Sequence, residues 1–193
     1  VNSFFAYINR LKLIQRWGLM RNAIPENDME HSMQCALIAH ALALLAKQRY
    51  HQDIDPQTAA TLALYHDAGE VMTGDLPTPV KYKNAQIKSA YKTIEQMANE
   101  QLFHMLPEDL KPSYRPYLLP DKTAYVWKLV KAADRICAFL KCVEEKKTGN
   151  LEFEQAQSTI LASITELDMP EVHDFMQEFA PAYELSLDEL SKL

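Results

Sequence analysis

Apolar positions recur along this chain at intervals of three and four almost from end to end, which is the spacing of helices that each bury one face. Phe4, Ile8, Leu11 and Ile14 predict a first helix over roughly Ser3–Arg16, broken by the NAIPEN stretch around Pro25. Asn27 followed by Glu30 has the form of a capping box, in which each side chain satisfies a backbone N–H that the helix leaves free. It opens a second helix whose stripe is His31, Cys35, Ile38, Leu42 and Leu45. Asp55 before Pro56 is an N-cap and first-turn signal for a third helix reaching about Val71. Its buried face is Ala59, Leu62, Ala63 and His66.

Beyond it, Gly74, Pro77 and Pro79 make TGDLPTP a loop. A charged amphipathic helix is predicted from about Asn84 to Met105, and Pro107, Pro112, Pro116 and Pro120 then mark an irregular connection. A long helix follows from about Thr123 to Lys147, closing at Gly149, and two more fill the C-terminal part, parted near Pro170. There are no repeats, low-complexity tracts or linkers. The fold class is all-α, a single-domain helical bundle spanning residues 1–193.

Composition narrows what such a bundle does. At 193 residues and 48% apolar, with 4 glycines, the chain suits one domain with a substantial core. A net charge of −6 supplies no general field for nucleic acid or an anionic membrane, so a phosphorylated ligand needs local cations. Cys35, Cys137 and Cys142 sit in helical apolar patterns without a CxxC pair, as reduced buried thiols do in the cytosol. No secretory segment and no apolar run near 18 residues is present, so the expected location is cytoplasmic, with no membrane partner.

Against this background the stretch LALYHDAGEVMTGDLPTP, Leu62 to Pro79, puts titratable groups where an apolar face belongs. His66 and Asp67 are adjacent there, His31 opens the second helix, and Asp134 lies one turn after Val130 and one turn before Cys137 in the long helix. Each alone has an ordinary explanation: a hydrogen-bonded core histidine, a chance HD pair, or an ion-pair partner for Arg135. His40, His51, His104 and His173 are read that way. Together, buried carboxylates need partners, and one divalent metal would satisfy all four groups. Two imidazoles and two carboxylates suit Mn, Fe, Co, Ni or Zn and suit Mg or Ca poorly. On a continuous helix Glu70 would share a face with His66 and Asp67, close enough to handle protons beside the metal.

The H…HD…D set of His31, His66-Asp67 and Asp134 resembles that of HD-domain metal-dependent phosphohydrolases. RLKLIQRWGLMRN, EHS, YHDAGEVMTGDLPTPVKY and LKCVEE are more closely similar to the bacterial 5′-deoxynucleotidase branch, from Arg10 to Glu145. Gly69 stands where members often carry Ser, and Gly18 where Pro is common. The resemblance implies an HD-type bundle with a metal-binding core at about 27–147 and terminal helices packed on it. It implies hydrolysis of 2′-deoxyribonucleoside 5′-monophosphates by a cytoplasmic homodimer, best supported by cobalt, with manganese or copper as lesser substitutes.

The implied ligands are His31, His66, Asp67 and Asp134, and the implied substrate contacts are Arg16, Trp17, Asp67, Asp75, Leu76, Pro77, Thr78 and Asp134. Arg16 would orient the phosphate, Glu70 the attacking water or the leaving oxygen's proton, Asp75 a sugar hydroxyl, and Trp17 the sugar face. Two alternatives stand beside this: an HD hydrolase of a nucleoside triphosphate, alarmone or cyclic nucleotide, and a regulatory module that binds nucleotide without turnover. A GYP-type motif is absent, which disfavours cyclic dinucleotides, and the complete ligand set disfavours a module without activity.

Overall fold

The computed structural model describes residues 1–81 and 83–192; Tyr82, the last residue of the YHDAGEVMTGDLPTPVKY motif, lies outside the described residues. Among these the fold is all-α. Two 23-residue helices form its centre: α2, which runs Asp28–Tyr50, and a second at Tyr125–Lys147. In chain order the remaining helices are α1 (Phe4–Ile8), α3 (Pro56–Tyr65), α4 (Glu70–Thr73), α5 (Thr78–Lys81), α6 (Ala85–His104) and α7 (Lys111–Leu118). The long Tyr125–Lys147 helix is then α8, followed by α9 (Glu154–Thr165), α10 (Pro170–Glu178) and α11 (Leu187–Leu190).

Local chemistry sets the main starts. The Asn27 side chain accepts from the N–H groups of Met29 and Glu30, and Glu30 returns a bond to the Asn27 N–H, completing the box that opens α2. Asp55 caps α3 through Gln57 and Thr58, and Asn84 caps α6 through Ile87. His51 in the left-handed region ends α2, and Gly149 at φ 83° follows the last turn of α8.

Five expectations are corrected. The C-terminal part holds three helices, α9 to α11, where two were expected, because Ser186 and Glu189 form a second capping box. The first helix stops at Ile8, tightens to a 3-10 segment over Asn9–Leu13 and is extended by Ile14, so Arg16 lies beyond it. The third helix stops at Tyr65 rather than near Val71. A short helix, α5, begins inside the TGDLPTP loop, because Pro79 falls in its first turn, where a missing N–H costs nothing. The proline-rich connection contains α7, with Pro112 in its first turn. Pro116 removes one bond from α7, while Leu118, fully buried, and Tyr114, packed on Phe4, hold it in place.

Two apolar clusters result. In the larger, Cys35, Ala39, Leu42 and Ala43 of α2 meet Ala59, Leu62 and Ala63 of α3 and Leu129, Val130, Ala133, Ile136 and Leu140 of α8. The alanines let the three backbones approach closely. The smaller joins Phe4, Ala68, Leu102, Phe103, Leu106 and Leu118. A five-residue helix such as α1 is too short to persist alone, and burial of Phe4, worth about 2–3 kcal/mol, ties it down. His66, Asp67 and Glu70 lie at the seam: Ala68 among them belongs to the smaller cluster, while α3 before them belongs to the larger.

Candidate active site

The HD pair owes its placement to the way α3 ends. From Ala63 onward the backbone bonds reach back three residues: His66 to Ala63, Ala68 to Tyr65, Glu70 to Asp67 (2.9 Å) and Met72 to Gly69. Three residues per turn make side chains three apart eclipse. Glu70 therefore aligns with Asp67 and is turned off His66, which corrects the expectation of one continuous face for all three. The tight turn also spares the Ala63 carbonyl the N–H of Asp67, and beside the His66 N–H it takes His66 Nδ1 at 2.6 Å. A carbonyl only accepts, so Nδ1 carries the proton and the Nε2 lone pair is directed inward.

Four donor atoms converge there. His31 Nε2 lies 3.2 Å from Asp134 Oδ1 and 3.7 Å from Asp67 Oδ2. His66 Nε2 lies 3.1 Å from Asp67 Oδ2 and 3.9 Å from Asp134 Oδ1. Among the described residues, both buried Nε2 atoms lack a hydrogen-bond partner of good geometry. All four donor atoms lie within 4.8 Å of one another, and a shell of about 2.1 Å radius around one ion is about 4.2 Å across. Orphaned buried nitrogens facing carboxylate oxygens at these separations fit one divalent cation.

Electrostatics point the same way. Burial opposes charge on His66, yet Asp67 and its neighbours outweigh it, so His66 titrates well above the usual histidine range. A proton there stands where a cation would. Burial and the Arg16 guanidinium push His31 down instead, keeping its nitrogen free to bind. Asp67 and Asp134 are both held well below the carboxylate range: burial opposes this, and His66 and Lys131 prevail.

Arg16 reaches the quartet from the extended segment after the 3-10 turn. Its Nε donates to Glu26 at 3.1 Å, while Nη1 stands 3.6 Å from Asp67 and 3.8 Å from Asp28. Burial works against its charge, but Asp67, Asp134, Glu26 and Asp75 keep it cationic. Asp28 has no forewarning in the sequence, where it reads as an ordinary first-turn acid. It is fully buried and lies within electrostatic reach of Glu70, itself 7% exposed. Burial, then the carboxylates of Asp67, Asp28 and Asp75, push Glu70 up to about 11, and burial pushes Asp28 to about 7. Two carboxyls so placed share a proton rather than both ionise.

Trp17 is held at φ 59°, a left-handed conformation costly for a bulky residue. Its Nε1 donates to Glu26 at 3.0 Å, and its ring packs on Phe153 at 5.3 Å. The following loop is clamped by Glu145, a fully buried carboxylate that accepts from Ala23 N–H (2.8 Å), Ile24 N–H (3.0 Å) and Asn150 (2.7 Å) and pairs with buried Lys141. Lys141 also donates to the Ile24 carbonyl. This explains physically Lys141 and Glu145 of LKCVEE, which the sequence leaves without a role.

The remaining expected substrate residues are less closely gathered. Asp75 lies within electrostatic reach of Arg16, Asp28 and Glu70; Leu76 and Pro77 are half-buried and Thr78 is exposed at the start of α5. A cleft of about 350 Å³ opens on His66, Asp67 and Glu70, with Lys131 and Trp127 of α8 and Asn99 of α6 in its wall.

The sequence matches the family described as YfbR-like 5′-deoxynucleotidases over residues 3–183. The 5′-deoxynucleotidase of Vibrio cholerae is 48% identical over 193 residues, 97% of this chain and 97% of its own. That of Cronobacter sakazakii is 49% identical over 192 residues, 98% of this chain and 96% of its own. Among solved structures, an HD-domain phosphohydrolase from Listeria innocua aligns with a TM-score of 0.82 at 23% identity, over 98% of this chain and 95% of that one. A cyanophage S-2L HD phosphohydrolase, bound to dA and one catalytic Zn²⁺ ion, aligns with a TM-score of 0.63 at 20% identity, over 93% and 95%.

Proposed function

The chain belongs to the YfbR-like 5′-deoxynucleotidase family, and from that premise we propose how its side chains carry out the family's reaction. The protein is a metal-dependent phosphoric monoester hydrolase that converts 2′-deoxyribonucleoside 5′-monophosphates to deoxynucleosides and phosphate. The observation that carries the reading of its centre is the convergence of His31, His66, Asp67 and Asp134 with both inward nitrogens unpartnered. A divalent cation held by these four would supply Lewis acidity toward the phosphoryl group and lower the pKa of water. Cobalt is the metal we assign to best turnover, with manganese or copper weaker, in keeping with a mixed N/O donor set.

Arg16 holds the phosphate. Its Nε is committed to Glu26, which leaves the Nη atoms to take phosphoryl oxygens and to stabilise charge in the transition state. Glu70 retains its proton through burial and three neighbouring carboxylates, which favours donation from its carboxyl to the leaving 5′-oxygen. Asp28, buried beside that carboxyl, is one of the charges that keep it protonated. Asp75 accepts from the 3′-hydroxyl, with Leu76, Pro77 and Thr78 forming the loop around the sugar, and Trp17 excludes the 2′-hydroxyl. The strained φ of Trp17 and its bond to Glu26 support that role, since a wall discriminates only if it is rigid.

On the same family resemblance, residues 1–193 form one domain and the active species is a cytoplasmic homodimer. No helix among the described residues is long and apolar enough to cross a membrane. A panel of ribo- and deoxynucleoside 5′- and 3′-monophosphates, each tested with several divalent metals, tests the assignment. Phosphate release confined to deoxynucleoside 5′-monophosphates, highest with cobalt, is the expected outcome. Equal turnover of 3′-phosphates would overturn it.

A further inference from the structure

The two carboxylates of the donor quartet each carry a cation. Asp67 Oδ2 has Arg16 Nη1 at 3.6 Å. Asp134 offers Oδ1 to the histidines, and its other oxygen, Oδ2, pairs with the ammonium of Lys131 one turn earlier on α8. Arg16 comes from the N-terminal segment and Lys131 from α8, so positive charge reaches the quartet from two separate elements. Lys131 also lines the cleft that opens on His66, Asp67 and Glu70. Its side chain is 41% exposed on the cleft side of α8.

We propose that Lys131 is a substrate-contacting cation, whose ammonium takes a non-bridging oxygen of the phosphoryl group while Arg16 takes another. This rests on the metal-centre reading given above. The balance of charge favours it. Asp67 and Asp134 are balanced by Arg16 and Lys131, which leaves a divalent cation and a phosphate dianion to balance each other. Glu26, paired with Arg16, and the Asp28–Glu70 pair with its single proton make the surroundings more negative still. Lys81, Lys88, Lys92 and Lys122 also line the cleft, but Lys131 is the lysine paired with a carboxylate of the quartet. Nζ has three donors, and Asp134 Oδ2 uses one, so two remain for phosphate oxygens.

The competing explanation is an ordinary i,i+3 pair that steadies α8 or Asp134. Lys131→Met and Lys131→Arg in the full chain separate the two. Both retain a good helix former at a partly exposed position. The readouts are bound metal per chain, the dissociation constant of inorganic phosphate for the metal-loaded protein, and kcat and KM separately. A charge-assisted hydrogen bond lost to Met weakens phosphate binding by about 10–100-fold, with metal content unchanged and a similar or larger fall in kcat/KM. Lys131→Arg restores most of the phosphate affinity.

Phosphate affinity in Lys131→Met within twofold of the unmodified protein would overturn the proposal. So would a loss of metal whose replenishment fully restores phosphate binding, since the lysine would then serve only to hold Asp134. If the unmodified protein itself holds no metal and binds no phosphate, the metal-centre reading fails and this proposal with it. If it binds both and only the Met variant is indifferent, the lysine assignment fails alone.

Discussion

Removing the Glu145 carboxylate should damage both stability and catalysis, and the two losses can be separated. In Glu145→Ala the ammonium of Lys141, only 2% exposed, loses its counter-ion. Breaking a buried pair by deleting one partner typically costs about 3–5 kcal/mol, because the survivor is a desolvated charge. The N–H groups of Ala23 and Ile24 also lose their acceptor, but those residues are exposed and water can replace it. The buried ammonium therefore dominates. For a domain of this size that cost lowers Tm by roughly 6–20 °C.

Replacing both partners, Lys141→Met with Glu145→Met, removes the orphaned charge, and stability should return to within about 1–2 kcal/mol of the parent. The loop bearing Ala23 and Ile24 remains unclamped in the double variant, so Trp17 and Arg16 lose part of their support and kcat/KM stays low. The carboxylate also has a pH signature. Hydrogen bonds from Lys141, Ala23, Ile24 and Asn150 outweigh its burial and lower its pKa from the ordinary 4.5 to about 2. Its stabilisation is thus complete above pH 4.5 and lost as pH falls through about 2. Thermal melts across pH and steady-state kinetics provide the measurements. A Glu145→Ala variant melting with the parent, or a double variant with parental kcat/KM, would refute the clamp.

Asp134→Ala should lower metal affinity by at least about 10–100-fold, the range seen when only an outer contact to a metal is removed; metal titration followed by calorimetry measures it. Glu70→Gln should keep the metal while turnover falls by about 10²–10⁴, the usual loss of an acid–base group, and metal analysis beside single-turnover rates checks both halves. In the metal-free protein, Asp28 titrates near 7 against an ordinary 3.8. The folded state then binds more protons than the unfolded state between those values, so stability should fall as pH rises through that window. Asp28→Asn should flatten this slope in urea unfolding midpoints. Trp17→Ala should narrow the deoxy/ribo ratio of kcat/KM, which an apolar wall holds at roughly 10² at most; matched dAMP and AMP assays decide it.

The helix starts were legible because local chemistry fixes them. Asn27, Asp55 and Asn84 cap helices through backbone bonds two or three residues away, so tertiary context has little to add. The stripe of α2 was readable because its spacing alone selects the buried face, and His31 was conspicuous for lying on it. The stop at Tyr65 was not readable. Nothing near His66 breaks a helix, and the tightening depends on packing of Ala68 into the smaller cluster. The quartet was found because each member interrupts an apolar pattern. Asp28, Glu26 and Lys131 were missed because acids in a first turn and a lysine one turn from an aspartate are what exposed helices carry. Only the folded chain, which brings Arg16 and Glu70 to the start of α2, reveals that Asp28 is buried.

The carbonyl of Ala63 sets the site at odds with ordinary stabilisation of a helix. Were α3 to continue regularly, that oxygen would accept the N–H of Asp67, in competition with the His66 imidazole whose proton it fixes. Substitutions that favour regular helix across Tyr65–Met72 would lengthen α3 and loosen the imidazole at the same time. Gly69→Ala is the obvious choice, since alanine is worth about 1 kcal/mol over glycine in a helix. Here the new Cβ would also meet Asn99 Oδ1 at 2.8 Å and press on the cleft wall. Directed selection for heat tolerance alone should therefore accumulate changes elsewhere in the bundle and leave this irregular turn untouched whenever activity is screened.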